Sequence, residues 1–183
     1  MATAASADEP IALGHNGFSF RPAEDGGWVM LPRTVTTEGF LGAWSQSPAE
    51  PWAVGASGGV YTLDGGLWLR NHPTGMALNA IWGTSEERLW TVGRSGRVWR
   101  RVNRVWAAVT PPVAVELFGV HGRADDDFYV VGDLGVALHW NGSAFRVLRT
   151  GTLRRLRAVW VDPVHGVIAV GAGGATLRLR TSP

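Results

Sequence analysis

Five times in 183 residues the chain spells nearly the same phrase: ALGHNGF at 12–18, AVGASGG at 53–59, TVGRSGR at 91–97, VVGDLGV at 130–136 and AVGAGGA at 169–175. In every copy a second glycine follows the first by three residues, at Gly14/Gly17, Gly55/Gly58, Gly93/Gly96, Gly132/Gly135 and Gly171/Gly174. The leading glycines are 41, 38, 39 and 39 residues apart. Other landmarks keep the same step, eight residues separating Trp44 from Trp52, Trp82 from Trp90, His121 from Tyr129 and Trp160 from Ile168. Repetition on this scale decides the fold class first, because each unit is one module that buries its apolar face only against its neighbours.

Each unit reads as short β-strands. Apolar stretches such as LNAIW, LWTV, GRVWR and RVWAAV are rich in Val and Trp and are cut by Gly, Ser, Asp or Pro. No stretch carries a sustained helical period. The G-x-x-G step supplies residues that tolerate positive φ, which a tight hairpin needs. A period near 39 with four strands per unit predicts an all-β chain, a β-propeller of about five blades of four antiparallel strands. Residues 10–183 form the single propeller domain in this reading, and residues 1–9 are a flexible tail or a closing strand.

Within a unit, strand a ends near Trp44, Trp82, His121 or Trp160, strand b ends at the glycine phrase, and strand d carries Trp28, Trp68, Trp106 or Phe145. Gly42, Ala80, Gly119 and Ala158 recur two residues before the landmark of strand a. Small side chains at one repeated position suit a crowded inner strand, so strand a is read as innermost. The count gives b-c-d at the start, three full blades, and a-b-c at the end. The missing outer strand is expected from the N-terminal residues lent to the last blade, giving a monomer, or from a second chain in a homo-oligomer.

WAVGASGGVYTLDGGLW (52–68) resembles the blades of Asp-box (BNR) propellers and of photosystem II assembly-factor-like propellers, with Thr62, Asp64, Gly66 and Trp68 in the closing turn. HWNGSAF (139–145) and AEDGGW (23–28) are similar closes. The resemblance implies the propeller architecture. It also implies a range of activities that includes hydrolases, lectin-like binders and assembly factors, so the function must come from the site.

Composition narrows the classes. No apolar run approaches the roughly 18 residues of a membrane-spanning helix, so no membrane insertion is expected. Cysteine is absent, which removes disulfides and thiolate metal sites. The opening MATAASADEP lacks a basic and an apolar signal region. It is read as a tail or as the start left by signal removal, which favours a secreted or periplasmic location. All 17 Lys and Arg residues are arginine, four of them in residues 1–93 and thirteen in residues 94–183. They scatter along alternating strands, so a solvated sheet surface is expected rather than a nucleic-acid partner.

Catalytic patterns are weak. GASGG (55–59) fits G-x-S-x-G, but a nucleophile elbow needs a helix where a strand follows here. His15, His72, His121, His139 and His165 form no metal-ligand pair by spacing, and Asp125-Asp126-Asp127 with Glu50 and Glu86-Glu87 read as solvated loops. A sialidase-type hydrolase needs a tyrosine nucleophile, yet Tyr61 and Tyr129 fall at strand positions held elsewhere by apolar residues. No catalytic residue, metal or cofactor is therefore expected. The expected function is non-enzymatic recognition of a protein or glycan ligand, with an Asp-box hydrolase or a purely assembly-forming scaffold as alternatives. The candidate binding residues are His15, Asn16, Ser57, Arg94, Ser95 and Asp133 at hairpin tips and His72 in a d–a connector. Arg21, Arg100, His139 and Arg178, each four residues after the second hairpin glycine, form a candidate basic ring. Trp99 and Trp140 lie off the repeat pattern and are expected to be the exposed tryptophans.

Overall fold

The computed structural model describes residues 2–4, 10–32, 38–47, 51–162, 164 and 166–179. Their strands form five antiparallel sheets. The first holds β1 (Ala2–Ala4), β2 (Ile11–Leu13), β3 (Ser19–Pro22) and β4 (Trp28–Met30); the second holds β5 (Phe40–Ser45), β6 (Pro51–Gly55), β7 (Gly59–Asp64) and β8 (Leu67–Pro73). The third holds β9 (Leu78–Ser85), β10 (Arg88–Gly93), β11 (Val98–Val102) and β12 (Val105–Val109). β13 (Leu117–Ala124), β14 (Asp127–Gly132), β15 (Ala137–Trp140) and β16 (Phe145–Leu148) make the fourth. The fifth has three strands, β17 (Leu156–Asp162), β18 (Gly166–Gly171) and β19 (Thr176–Leu179). Each sheet is a meander in sequence order; in the four-stranded sheets the b–c hairpin and the following connector leave at one end, and the a–b and c–d turns leave at the other.

Two expectations need correction. Residues 2–4 do not lend an outer strand to the last sheet; they pair with β2, Ala2 opposite Leu13 and Ala4 opposite Ile11, as the first strand of the first sheet. His72 is not in a connector, because β8 continues through Pro73 and sets His72 opposite Val60. Glu50 and His165 lie outside the described residues.

The chain divides into two compact units, residues 1–81 and 82–183, with the boundary inside β9. In the first, Phe40 packs edge-on against Tyr61 at 5.5 Å and tilts against Trp68 at 5.1 Å, over buried Ile11, Leu13 and Ala53. In the second, Trp90 is fully buried between Phe128 at 4.6 Å and Trp140 at 5.1 Å. A further cluster joins β14 and β15 to β17 and β18 through Val131, Ala137, Leu156, Val161 and Val167. The small residues on the first strands are needed by packing. A Cβ on Gly42 would lie 2.8 Å from the Asn79 carbonyl oxygen and 2.9 Å from Ala80 Cα, and one on Gly119 would lie 3.1 Å from Ala158 Cα. Neighbouring strands a therefore touch backbone to backbone, the crowding that the repeated small residue implies.

The glycine phrase has a structural reason as well. At four hairpins two successive residues take left-handed φ: Asn16 and Gly17 (57° and 70°), Ser95 and Gly96 (56° and 70°), Leu134 and Gly135 (55° and 69°), Gly173 and Gly174 (64° and 71°). That pair is the signature of the primed turns whose twist matches the flanking strands. The second glycine is also covered by the connector. A Cβ on Gly96 or Gly135 would collide with the carbonyl oxygen of Val113 or Thr152, and Gly17 N–H donates to the Glu38 carbonyl at 2.8 Å.

The hairpin at 55–59 departs from its siblings. Gly58 N–H donates to the Gly55 carbonyl at 3.0 Å, and only Gly58 has positive φ. The buried Glu38 carboxylate caps this turn, accepting from Ser57 N–H at 2.6 Å, from Gly59 N–H at 3.2 Å and from the Tyr61 hydroxyl. A Cβ on Gly59 would stand 2.6 Å from Glu38 Oε2, and one on Gly55 would stand 2.5 Å from its Cδ. The extra glycine that completes G-x-S-x-G in GASGG is there to admit a carboxylate, which must be hydrogen-bonded once buried.

Gly135 and Gly174 separate the two roles of the second glycine. Both have left-handed φ, but nothing lies within 4 Å of a Cβ on Gly174. Gly174→Ala should cost about 1–2 kcal/mol from backbone strain alone, while Gly135→Ala should cost clearly more because the Thr152 carbonyl must move. Urea unfolding of the two variants tests this, and equal losses would show that the connector contact is inconsequential.

Candidate functional site

Residues 82–183 present two polar ends. At the hairpin end, the connector between β16 and β17 is tied to two hairpins. Arg155 grips Asp133 with two hydrogen bonds, Nε to Oδ1 at 2.6 Å and Nη2 to Oδ2 at 3.3 Å, and its guanidinium lies 4.8 Å above the Phe118 ring. Arg154 donates to the Gly173 carbonyl at 2.6 Å. Thr150 Oγ1 donates to the Gly135 carbonyl at 2.8 Å, and Asp133 N–H donates to the Glu116 carbonyl at 2.8 Å. Bidentate arginine–carboxylate geometry and a guanidinium over an aromatic face both hold arginine in one orientation.

Leu134 stands on this braced hairpin, 62% exposed and left-handed, and Leu153 in the connector is 81% exposed. Arg94 and Ser95 are exposed on their own hairpin in the same unit. In the 1–81 unit, His15, Asn16 and Ser57 are exposed at hairpin tips. His72, by contrast, is partly buried within β8, and burial lowers its pKa below the usual histidine value. The hairpin candidates are thus placed at turns, and His72 is not among them.

At the opposite end of the 82–183 unit, Asp125 and Asp127 of the acidic run are anchors rather than solvated loop residues, and Asp126 between them is exposed. Asp125, between β13 and β14, accepts from Trp90 Nε1 at 2.7 Å, from Arg88 Nη1 at 3.1 Å and from Arg100. The Arg100 guanidinium lies 5.0 Å over the Trp90 ring. Asp127 sits 2.8 Å from His139 Nε2 and 3.7 Å from Arg123, and the His139 ring stacks on Tyr129 at 4.6 Å. Of the candidate ring, Arg100 and His139 are therefore spent on internal carboxylates, and Arg21 and Arg178 are exposed. The offset from the hairpin glycine located these side chains but carried no information about their carboxylates: Asp125 reaches Arg100 from the next sheet, and Asp127 reaches His139 from the neighbouring strand β14.

The tryptophan expectation is corrected too. Trp140 is 6% exposed in the Trp90–Phe128 cluster, and Trp99 is partly buried. The exposed tryptophans among the described residues are Trp28, 55% exposed, and Trp160, 58% exposed and tilted against His121 with ring centroids 4.1 Å apart. No group of three or more His, Asp or Glu side chains able to hold a metal is present among the described residues.

No protein-family model and no curated protein matches the chain. Solved structures do. The WD40 β-propeller domain of Doa1 superposes with a TM-score of 0.75 at 11% identity, over 100% of this chain and 68% of that one. Catalytically inactive virginiamycin B lyase from Staphylococcus aureus with quinupristin gives 0.77 at 13% identity, over 98% of this chain and 69% of that one. YCF48 bound to D1 peptide gives 0.56 at 13% identity, over 99% of this chain and 78% of that one. The fold is a β-propeller, shared with proteins of differing activity.

Asp125 supplies a pH test. Burial alone would raise its pKa, but hydrogen bonds from Trp90, Arg100 and Arg88 and the Arg100 charge outweigh burial and hold it below the ordinary value. A depressed folded-state pKa contributes stability above the unfolded value of about 4, and that contribution disappears as pH falls through the folded value. Asp125→Asn should therefore be less stable than the parent at pH 7, with the gap closing below about pH 4. A gap that stays constant across urea titrations from neutral to acid would contradict the anchoring role.

Proposed function

We propose that the chain is a binding propeller without catalytic activity of its own, which recognises a protein segment at the hairpin end of residues 82–183. The observation that carries this reading is Leu134. Three sibling turns place Asn16, Ser95 or Gly173 at its position, and left-handed backbone suits Asn and Gly far better than a branched aliphatic residue. Leu134 accepts that strain while burying little of its side chain. A cost without compensation in the folded chain is what a contact reserved for a partner looks like.

The surroundings fit a protein ligand. Leu134 and Leu153 offer apolar surface, and the Arg155–Asp133 pair on Phe118 supplies a rigid polar frame. Arginine and aromatic rings are residue types enriched at protein interface centres, and the two exposed leucines add apolar area beside them. YCF48, a propeller of similar fold, has been solved with a peptide bound, which supports recognition as a use of this architecture.

Leu134→Asn separates stability from function. The variant keeps a residue that tolerates the turn, so it should gain about 0.5–1 kcal/mol in urea unfolding. Affinity capture from a lysate of the source organism should lose the partner retained by the parent chain, while Glu87→Gln, in an a–b turn at the other end, should retain it. Full capture by the Leu134→Asn chain would overturn the proposal.

A further inference from the structure

Charge is divided between the two ends of residues 82–183. Glu86 and Glu87, the run Asp125-Asp126-Asp127, and Asp162 lie at a–b turns, away from the b–c hairpins. The remaining carboxylate side chains of this stretch, Glu116 and Asp133, lie at the hairpin end, and both act on one guanidinium. Asp133 binds Arg155 through two hydrogen bonds, and Glu116 acts on it through its charge. Arg94 on its hairpin, and Arg149 and Arg154 in the connector between β16 and β17, are exposed at this same end. Arg149 and Arg154 bracket the stretch that covers the 133–135 hairpin, where Thr150 Oγ1 reaches the Gly135 carbonyl and the Thr152 carbonyl oxygen occupies the place of a Cβ on Gly135. Exposed Leu134 and Leu153 therefore stand in a surface of excess positive charge.

We infer that the segment recognised at this end is an acidic polypeptide with apolar side chains set among its carboxylates. The inference rests on the reading of Leu134 as a contact residue and adds the chemistry of what it contacts. Complementary charge steers encounter and rejects like-charged partners, and apolar side chains closing on Leu134 and Leu153 supply the burial that drives association. The guanidinium of Arg155 is already occupied by Asp133, so the exposed guanidinium groups of Arg94, Arg149 and Arg154 are the ones a partner's carboxylates meet. A nucleic acid would also answer the charge, but single strands are held by bases stacking on exposed aromatic rings. The exposed apolar groups here are leucines, and Phe118 lies under the Arg155 guanidinium. Both features favour polypeptide.

The test is fluorescence anisotropy with a labelled synthetic peptide of glutamate and leucine. Saturable binding is expected, weakened about tenfold by Arg149→Glu, weakened also by Leu134→Asn, and reduced as salt screens the exposed charges. Arg104→Glu, in a c–d turn at the opposite end, should bind as the parent does. Arg104 and Arg149 are exposed, so circular dichroism should show unchanged melts for both variants. A lysine–leucine peptide should not bind. Binding that Arg149→Glu leaves unchanged, or equal binding of the lysine peptide, would overturn the inference. So would a single-stranded oligonucleotide that displaces the peptide, or light scattering that shows a stable dimer excluding it. If Leu134→Asn loses the lysate partner while the parent binds no glutamate–leucine peptide, the acidic assignment alone falls. Lysate capture indifferent to Leu134→Asn would instead overturn the reading beneath it.

Discussion

The structure depends on one contact repeated along the chain, the left-handed glycine of a hairpin lying under the connector that leads to the next sheet. Gly58 faces Met76, Gly96 faces Val113 and Gly135 faces Thr152, each too closely for any side chain. A residue there must satisfy two conditions at once, positive φ and no Cβ, and only glycine does. The contact fixes where strand d of one sheet ends and strand a of the next begins. Packing of the inner strands through Gly42 or Gly119 follows from that placement.

A framework fixed at the glycines frees the residues between them. Tips read His15-Asn16, Arg94-Ser95, Asp133-Leu134 and Ala172-Gly173 on one backbone geometry, so recognition chemistry can vary without altering the sheets. The 55–59 hairpin shows the other route, in which the position of the first left-handed residue, Ser57, is not left-handed and a buried carboxylate from Glu38 accepts the turn's N–H groups. At the far end of the 82–183 unit, Asp125 performs a comparable service between sheets, gathering Trp90, Arg88 and Arg100. Rigid turns at one end and charge anchors at the other leave the hairpin residues as the adaptable part of a stiff body.

Much of the fold was legible because repetition converts weak local signals into strong ones. The G-x-x-G spacing, the eight-residue step from Trp44 to Trp52, which sets those two opposite each other, and the small residues at Gly42 and Gly119 each carried a geometric demand that the structure meets. What escaped was long-range. Nothing local in Asp125-Asp126-Asp127 marks it as the acceptor of an indole from 35 residues earlier. Trp140 breaks the pattern in sequence yet fills the space beside Phe128 in three dimensions. The Thr-Gly steps at 74–75 and 150–151 were a usable signal, since Thr74 and Thr150 both clamp the hairpin glycine carbonyl from the connector. Residues 2–4 could be placed only by their pairing partner, because three small residues carry no register of their own.

The most direct measurement of the central claim, that the 133–135 hairpin is a recognition surface, is site-specific photo-crosslinking in a lysate of the source organism. A photoreactive residue at position 134 should give one discrete adduct of higher mass, and the same residue at position 87, in the a–b turn at the opposite end, should give none. Adducts from position 87 with none from position 134 would contradict the account.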